Sequence, residues 1–221
     1  MIKTGLLCVP VYDEAANDAV RRQLQRATPA AIVMASRHVA SQRYLVEEVL
    51  RQWCDEEELD LILTIGGTLP APGPSGREIV PEATAAVLER TMPSLTETMR
   101  ALAAEESALA LLDRGVAGIR GRTLIVNLPA GANAATLFLT AISDVLSAVI
   151  AHLQDAISAV PSLEAALMAQ SMPDAADETE SAADPVTPAP AAEKRPGRSL
   201  DPAEFAAFLQ RSAGKSDAGA G

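Results

Sequence analysis

The residues of this chain best equipped for chemistry lie in two short stretches, Gly66–Glu78 and Asn127–Gly131. Gly66 and Gly67 let a backbone approach a ligand closely, and Thr68 adds a hydroxyl. In the Pro/Gly-rich loop that follows, Arg77 offers a fork of donors suited to phosphate, and Glu78 a carboxylate able to hold a divalent cation through oxygen. Asn127 carries a side-chain amide that either reads the edge of a ligand or caps the loop containing Pro129 and Gly131. Each residue also has a plain structural reading. Gly-Gly-Thr turns a chain, Thr68 closes a turn, and Arg77 and Glu78 are solvated loop charges.

Both stretches follow strands. Leu59–Ile65 is an almost unbroken apolar run, the pattern of a strand buried on both faces of a parallel sheet, and Arg122–Leu128 repeats it. Pro81, with Glu82 behind it, marks a helix start running to Arg90; Pro93 separates it from a second helix over Ser94–Glu105. Upstream, Lys3–Val11 reads as a first strand, Asp13–Ala27 as a helix with Ala15, Ala19, Val20 and Leu24 inward, and Pro29–Ala35 as a short strand. Tyr44–Cys54 is a helix with Leu45, Val46, Val49, Leu50 and Trp53 on one stripe. Asp113-Arg114-Gly115 and Arg120-Gly121 are turn signals. This alternation predicts an α/β fold, a three-layer sandwich around a mostly parallel sheet, over residues 1–170. Open sheets of this kind bind ligands at the carboxyl ends of their strands, so Gly66–Thr68 and Asn127–Gly131 face one crevice if their strands are neighbours.

Composition narrows the function. A net charge of −11 over 221 residues argues against a nucleic-acid binder, which needs a basic face. Cys8 and Cys54 lack metal-ligand spacing and read as reduced thiols of a cytoplasmic protein. No signal peptide is evident. Ala134–Leu153 is apolar enough to suggest a membrane span, but its large residues fall in pairs separated by Thr140, Ser143, Asp144 and Ser147, the stripe of a helix on a core, so no membrane is expected. Residues 171–221 hold nine acids and five bases among Ala, Pro and Ser, and read as a disordered acidic tail. One island, residues 201–211 with Phe205, Phe208 and Leu209 on a stripe, is a short helix that would dock on a protein partner or on the body. His38 and His152 belong to no Ser/His/Asp grouping.

Gly-Gly-Thr, then arginine and an acid, then Pro81-Glu82-Ala83-Thr84, and later RGVAGIRGRTLIVNLP at Arg114–Pro129 together resemble the molybdopterin-binding family of molybdenum cofactor biosynthesis, which includes the molybdopterin adenylyltransferases. The resemblance covers roughly Leu59–Leu153. It implies molybdopterin as ligand, ATP and Mg2+ if the chain is catalytic, and a homotrimer. Gly66, Gly67, Thr68, Asn127, Pro129 and Gly131 would bind substrate, Arg77 and Glu78 would be catalytic, and Glu78 with Asp13 would hold the metal. The chain departs from the family pattern where Leu69 replaces a glycine, Val80 a capping threonine, Glu78 an aspartate and Ser41 a second carboxylate, and the loop after the first strand is shortened to Pro10–Glu14. Two functions stay open. One is adenylyl transfer to molybdopterin; the other is a catalytically degenerate pterin- or nucleotide-binding regulator or assembly protein.

Overall fold

The computed structural model describes residues 1–70 and 79–154. Arg77, Glu78, the acidic tail and the helix expected over 201–211 lie outside the described residues. The strands are β1 (Ile2–Cys8), β2 (Ala31–His38), β3 (Leu61–Ile65), β4 (Arg90–Thr91), β5 (Ala117–Arg120) and β6 (Thr123–Leu128). The helices are α1 (Glu14–Ala27), α2 (Arg43–Asp55), α3 (Val80–Val87), α4 (Pro93–Glu106) and α5 (Ala132–Leu153), with a 3-10 turn at Ala108–Leu112.

The six strands form one sheet in the order β2-β1-β3-β6-β5-β4. β2, β1, β3 and β6 are parallel, whereas β5 runs antiparallel to β6 and β4 antiparallel to β5. The central strands are apolar on both faces because both are covered. Leu6, Leu61, Leu63, Leu124 and Val126 face one core with Val20, Leu24, Met99, Phe138, Leu139 and Ile142 of α1, α4 and α5. Leu7, Ile62 and Ile125 face the other, with Val46, Leu50, Trp53, Val80 and Val87 of α2 and α3. This is the three-layer α/β arrangement expected from the alternation.

α5 is the one helix among the described residues long and apolar enough to cross a membrane. In the fold it is a core helix. Phe138, Leu139, Ile142, Leu146 and Ile150 are buried against the sheet, α1 and α4, while Thr140, Asp144 and Ser147 are exposed.

Several boundaries differ from the sequence-based expectation. β2 continues three residues beyond Ala35, to His38, although its outer positions are polar, because the whole of β1 from Ile2 to Cys8 pairs with it. α3 ends at Val87, not Arg90, since Arg90 and Thr91 leave the helix to pair with β5. The turn signals at Asp113 and Arg120 flank a strand, β5, that four residues with a glycine did not announce. In α1, Ala16 and Asn17 are buried where Ala15 is exposed.

Candidate functional site at the carboxyl edge of the sheet

β3 and β6 are neighbours, in register from Leu61 opposite Leu124 to Ile65 opposite Leu128. The turns that follow them, Gly66–Thr68 and Pro129–Gly131, therefore lie side by side at the carboxyl edge, the edge at which open sheets take a ligand in a crevice. The end of β1 lies on the other side of β3, where the Val9 amide donates to the Ile65 carbonyl at 2.9 Å. Gly66 sits where the three strand ends meet. Its amide donates to Leu128 O at 2.9 Å, its φ is +98°, and a Cβ there would stand 2.2 Å from Val9 O. Only glycine fits that position. Gly67 follows with φ +68°. Among the described residues, the amides of Gly67 and Thr68 donate to no backbone carbonyl.

The helices that follow the parallel strands begin at this edge. α1 has its own cap: Asp13 accepts from the Ala16 amide at 2.9 Å. α3, led in by Ile79, and α5, led in by Gly131 with φ +90°, have no side-chain cap. Their first amides carry the positive ends of two helix dipoles at the crevice.

Thr68 and Asn127 are not free to meet a ligand through their side chains. Thr68 is wholly buried, and its hydroxyl donates to Asp113 Oδ2 at 2.5 Å. Asn127 is also wholly buried. Its amide nitrogen donates to the hydroxyls of Thr64 and Thr84, both at 2.9 Å, and its oxygen accepts from the Val116 amide at 3.1 Å. Neither role foreseen for the Asn127 side chain, reading a ligand edge or capping the next loop, fits this geometry. The side chain instead fastens β6 to β3, α3 and the residue preceding β5. Pro129 is buried behind it, and Gly131 is partly exposed with nothing within 4 Å of the position a Cβ would take.

Two groups at the crevice went unread in the sequence. Asp113, read only as a turn residue, is 5 % exposed, and its Oδ1 accepts from the Gly115 amide at 2.9 Å. Burial pushes its carboxyl above the ordinary range, against the opposing pull of the bonds from Thr68 and Gly115 and of the Arg100 charge. Arg114 forms an ion pair with Glu82 in the first turn of α3, and its amide donates to Thr68 O at 3.0 Å. An Arg–acid pair 32 residues apart and a Thr–Asp bond across 45 residues leave no local pattern to find. A groove of about 510 Å3 borders this loop, lined by Thr91, Thr96, Arg100, Asp113 and Arg114 among others. A separate cavity of about 450 Å3, bordered by Lys3, Cys54, Asp60, Thr123 and Gln154, opens at the amino edge, on the far side of the sheet from the glycine loop.

The described residues do not by themselves build a magnesium site. Among them no three His, Cys, Asp or Glu side chains gather as a metal-binding group. Asp13 has one carboxylate oxygen engaged at the start of α1.

Residues 12–148 match the family described as "Probable molybdopterin binding domain". The chain belongs to this family. The match extends the resemblance upstream of Leu59, through α1 and β2. The chain is 37 % identical over 119 residues to a molybdopterin adenylyltransferase of Helicobacter pylori (strain J99), a stretch covering 54 % of this chain and 65 % of that protein. It thus spans slightly under two thirds of that relative. To the molybdopterin adenylyltransferase of Escherichia coli K12 it is 32 % identical over 142 residues, 64 % of this chain and 71 % of the relative. Among solved structures, the molybdopterin biosynthesis enzyme MoaB of Thermus thermophilus superposes with a TM-score of 0.63 at 37 % identity, over 70 % of this chain and 98 % of that one.

Proposed function

We propose that the chain binds molybdopterin and ATP in the carboxyl-edge crevice and transfers an adenylyl group from one to the other. A phosphate oxygen of molybdopterin attacks the α-phosphorus of ATP, a new P–O bond forms, and the bond to the β-phosphate breaks with pyrophosphate as leaving group. Both substrates are anionic. The observation that carries this reading is a convergence beside adjacent strand ends. There the partly exposed Gly67 amide, which meets no backbone carbonyl among the described residues, lies with the uncapped N-termini of α3 and α5. Such amides bind phosphate oxygens and stabilise charge developing on them. The relatives named molybdopterin adenylyltransferase support the reaction class.

Arg77 is assigned to a phosphate and Glu78 to the reaction centre. Gly66, Gly67, Pro129 and Gly131 shape the crevice, and Thr68 anchors the turn to the Asp113 loop. Glu78 and the remaining oxygen of Asp13 would hold magnesium, which would neutralise charge on the phosphates when bound. A second reading, a binding protein without turnover, rests on the departures from the family pattern at Leu69, Glu78 and Ser41 and in the shortened loop after β1.

The deciding experiment measures pyrophosphate release from ATP and Mg2+ in the presence of molybdopterin, beside direct titration with molybdopterin. Release that disappears in Glu78→Gln while pterin affinity holds is the expected result. Tight binding without release would replace it with the second reading, and neither signal would overturn both.

The same proposal extends to assembly and location. Leu109, Leu111 and Leu112 are 68 %, 64 % and 54 % exposed on the 3-10 turn, an apolar surface suited to a homotrimer contact. Cys8 is buried, and the Cys54 thiol is pushed up to about 11 by burial, which suits unreactive thiols in the cytoplasm. The stripe of Phe205, Phe208 and Leu209 is assigned to a protein partner.

A further inference from the structure

We propose that Asp113 is the positioning residue of the crevice, the clamp that holds the Gly66-Gly67-Thr68 turn in its ligand-binding shape. This rests on the adenylyl-transfer reading for its effect on substrate, but the clamp itself is a property of the ligand-free protein.

Three bonds make the clamp. The Thr68 hydroxyl donates to Asp113 Oδ2 at 2.5 Å, the Gly115 amide donates to Oδ1 at 2.9 Å, and the Arg114 amide donates to Thr68 O at 3.0 Å. The turn after β3 is thereby fixed to the loop entering β5 from both its side chain and its backbone. The 113–115 loop is itself anchored. Arg100 of α4 donates to Gly115 O at 3.3 Å, the Val116 amide is held by Asn127, and Arg114 reaches across to Glu82 of α3. Among the described residues no comparable anchor holds Gly67, whose positive φ a free loop would readily leave.

A carboxylate is a costly choice for this task. At 5 % exposure it loses most of its hydration, with no ion-pair partner within bonding distance among the described residues. A serine hydroxyl would accept the same hydrogen bond at lower cost. What the ionised group adds is direction. It can only accept, so the Thr68 proton is turned inward and the hydroxyl offers no competing donor or rotamer. The crevice is left with backbone amides as its donors on this side, which suits a phosphate.

The test is a double-mutant cycle of Asp113→Ala and Thr68→Val in the full chain, read in two ways. Hydrogen exchange of the Gly66 and Arg114 amides, which donate to Leu128 O and Thr68 O, should rise about tenfold or more without ligand in each single variant and no further in the double. The dissociation constant for ATP should rise about tenfold in the same non-additive manner. KM for ATP should rise with it, by more than kcat falls. Asp113→Asn, which can donate to Thr68 and still accept from Gly115, should restore most of both signals. If Asp113→Ala does not fold, Thr68→Val and Asp113→Asn carry the exchange measurement alone. Unchanged exchange at Gly66 and Arg114 in folded variants, or additive losses, would overturn the clamp. If wild type binds neither ATP nor molybdopterin, the functional reading fails, while raised exchange in the variants would still support the clamp.

Discussion

Replacing Asn127 by alanine would strip partners from the Val116 amide and from the hydroxyls of Thr64 and Thr84 at a position with no access to water. Buried polar groups left unpaired cost roughly 1 kcal/mol or more each, so the expected loss is about 3 kcal/mol, a fall in Tm of about 8 °C for a body of this size. A thermal melt checks it; a fall of about 2 °C or less would mean the two threonines find other partners. The sequence marks Asn127 as special because it closes an apolar run before Pro129. It does not say why. Its partners are 63, 43 and 11 residues away, and their convergence depends on β3, α3 and β5 being packed around it. Asp113 is hidden for the same reason. Its chemistry comes from burial beside Thr68, and only the folded chain supplies that.

Among the elements, those built on continuous apolar runs were legible. β3, β6 and α5 announce themselves because both faces of a central strand, or a wide stripe of a helix, must be apolar to be covered. β4 and β5 were not legible, since two and four residues carry too little periodicity and their pairing is supplied by neighbours distant in sequence. The turn after β3 was legible as a glycine turn, and the structure adds the reason for its first residue. Gly66→Ala would drive a methyl to 2.2 Å from the Val9 carbonyl oxygen at φ +98°, so β1 and β3 would have to part. Gly121→Ala, in the β5–β6 turn at φ +57°, meets nothing within 4 Å. The second change is expected to cost about 1 kcal/mol, from the left-handed conformation alone. The first should cost about 3 kcal/mol or more, with loss of ligand binding. Paired denaturant titrations of the two variants check the difference, and equal midpoints would mean that the strand ends separate freely.

At the scale of the whole molecule, the described residues between Ile2 and Leu153 already build two apolar cores, one on each face of the sheet. The crevice, with the glycine turn, the Asp113 loop and the start of α5, is built from the same span. The chain divides after Pro173. Beyond that point its composition, nine acids against five bases with few large apolar residues, offers the body little to bury. Deleting residues 174–221 is therefore expected to leave Tm within about 2 °C and molybdopterin affinity within about twofold of the full chain. A partner recruited through Phe205, Phe208 and Leu209 would be lost in the same truncation. A larger fall in Tm, reversed by adding the 199–211 peptide in trans, would instead make the body the partner of that helix. Reversal would then have to weaken when Phe205 and Phe208 are both changed to serine, because a stripe of this kind binds through its apolar side chains, and an acidic body repels the peptide's acidic residues.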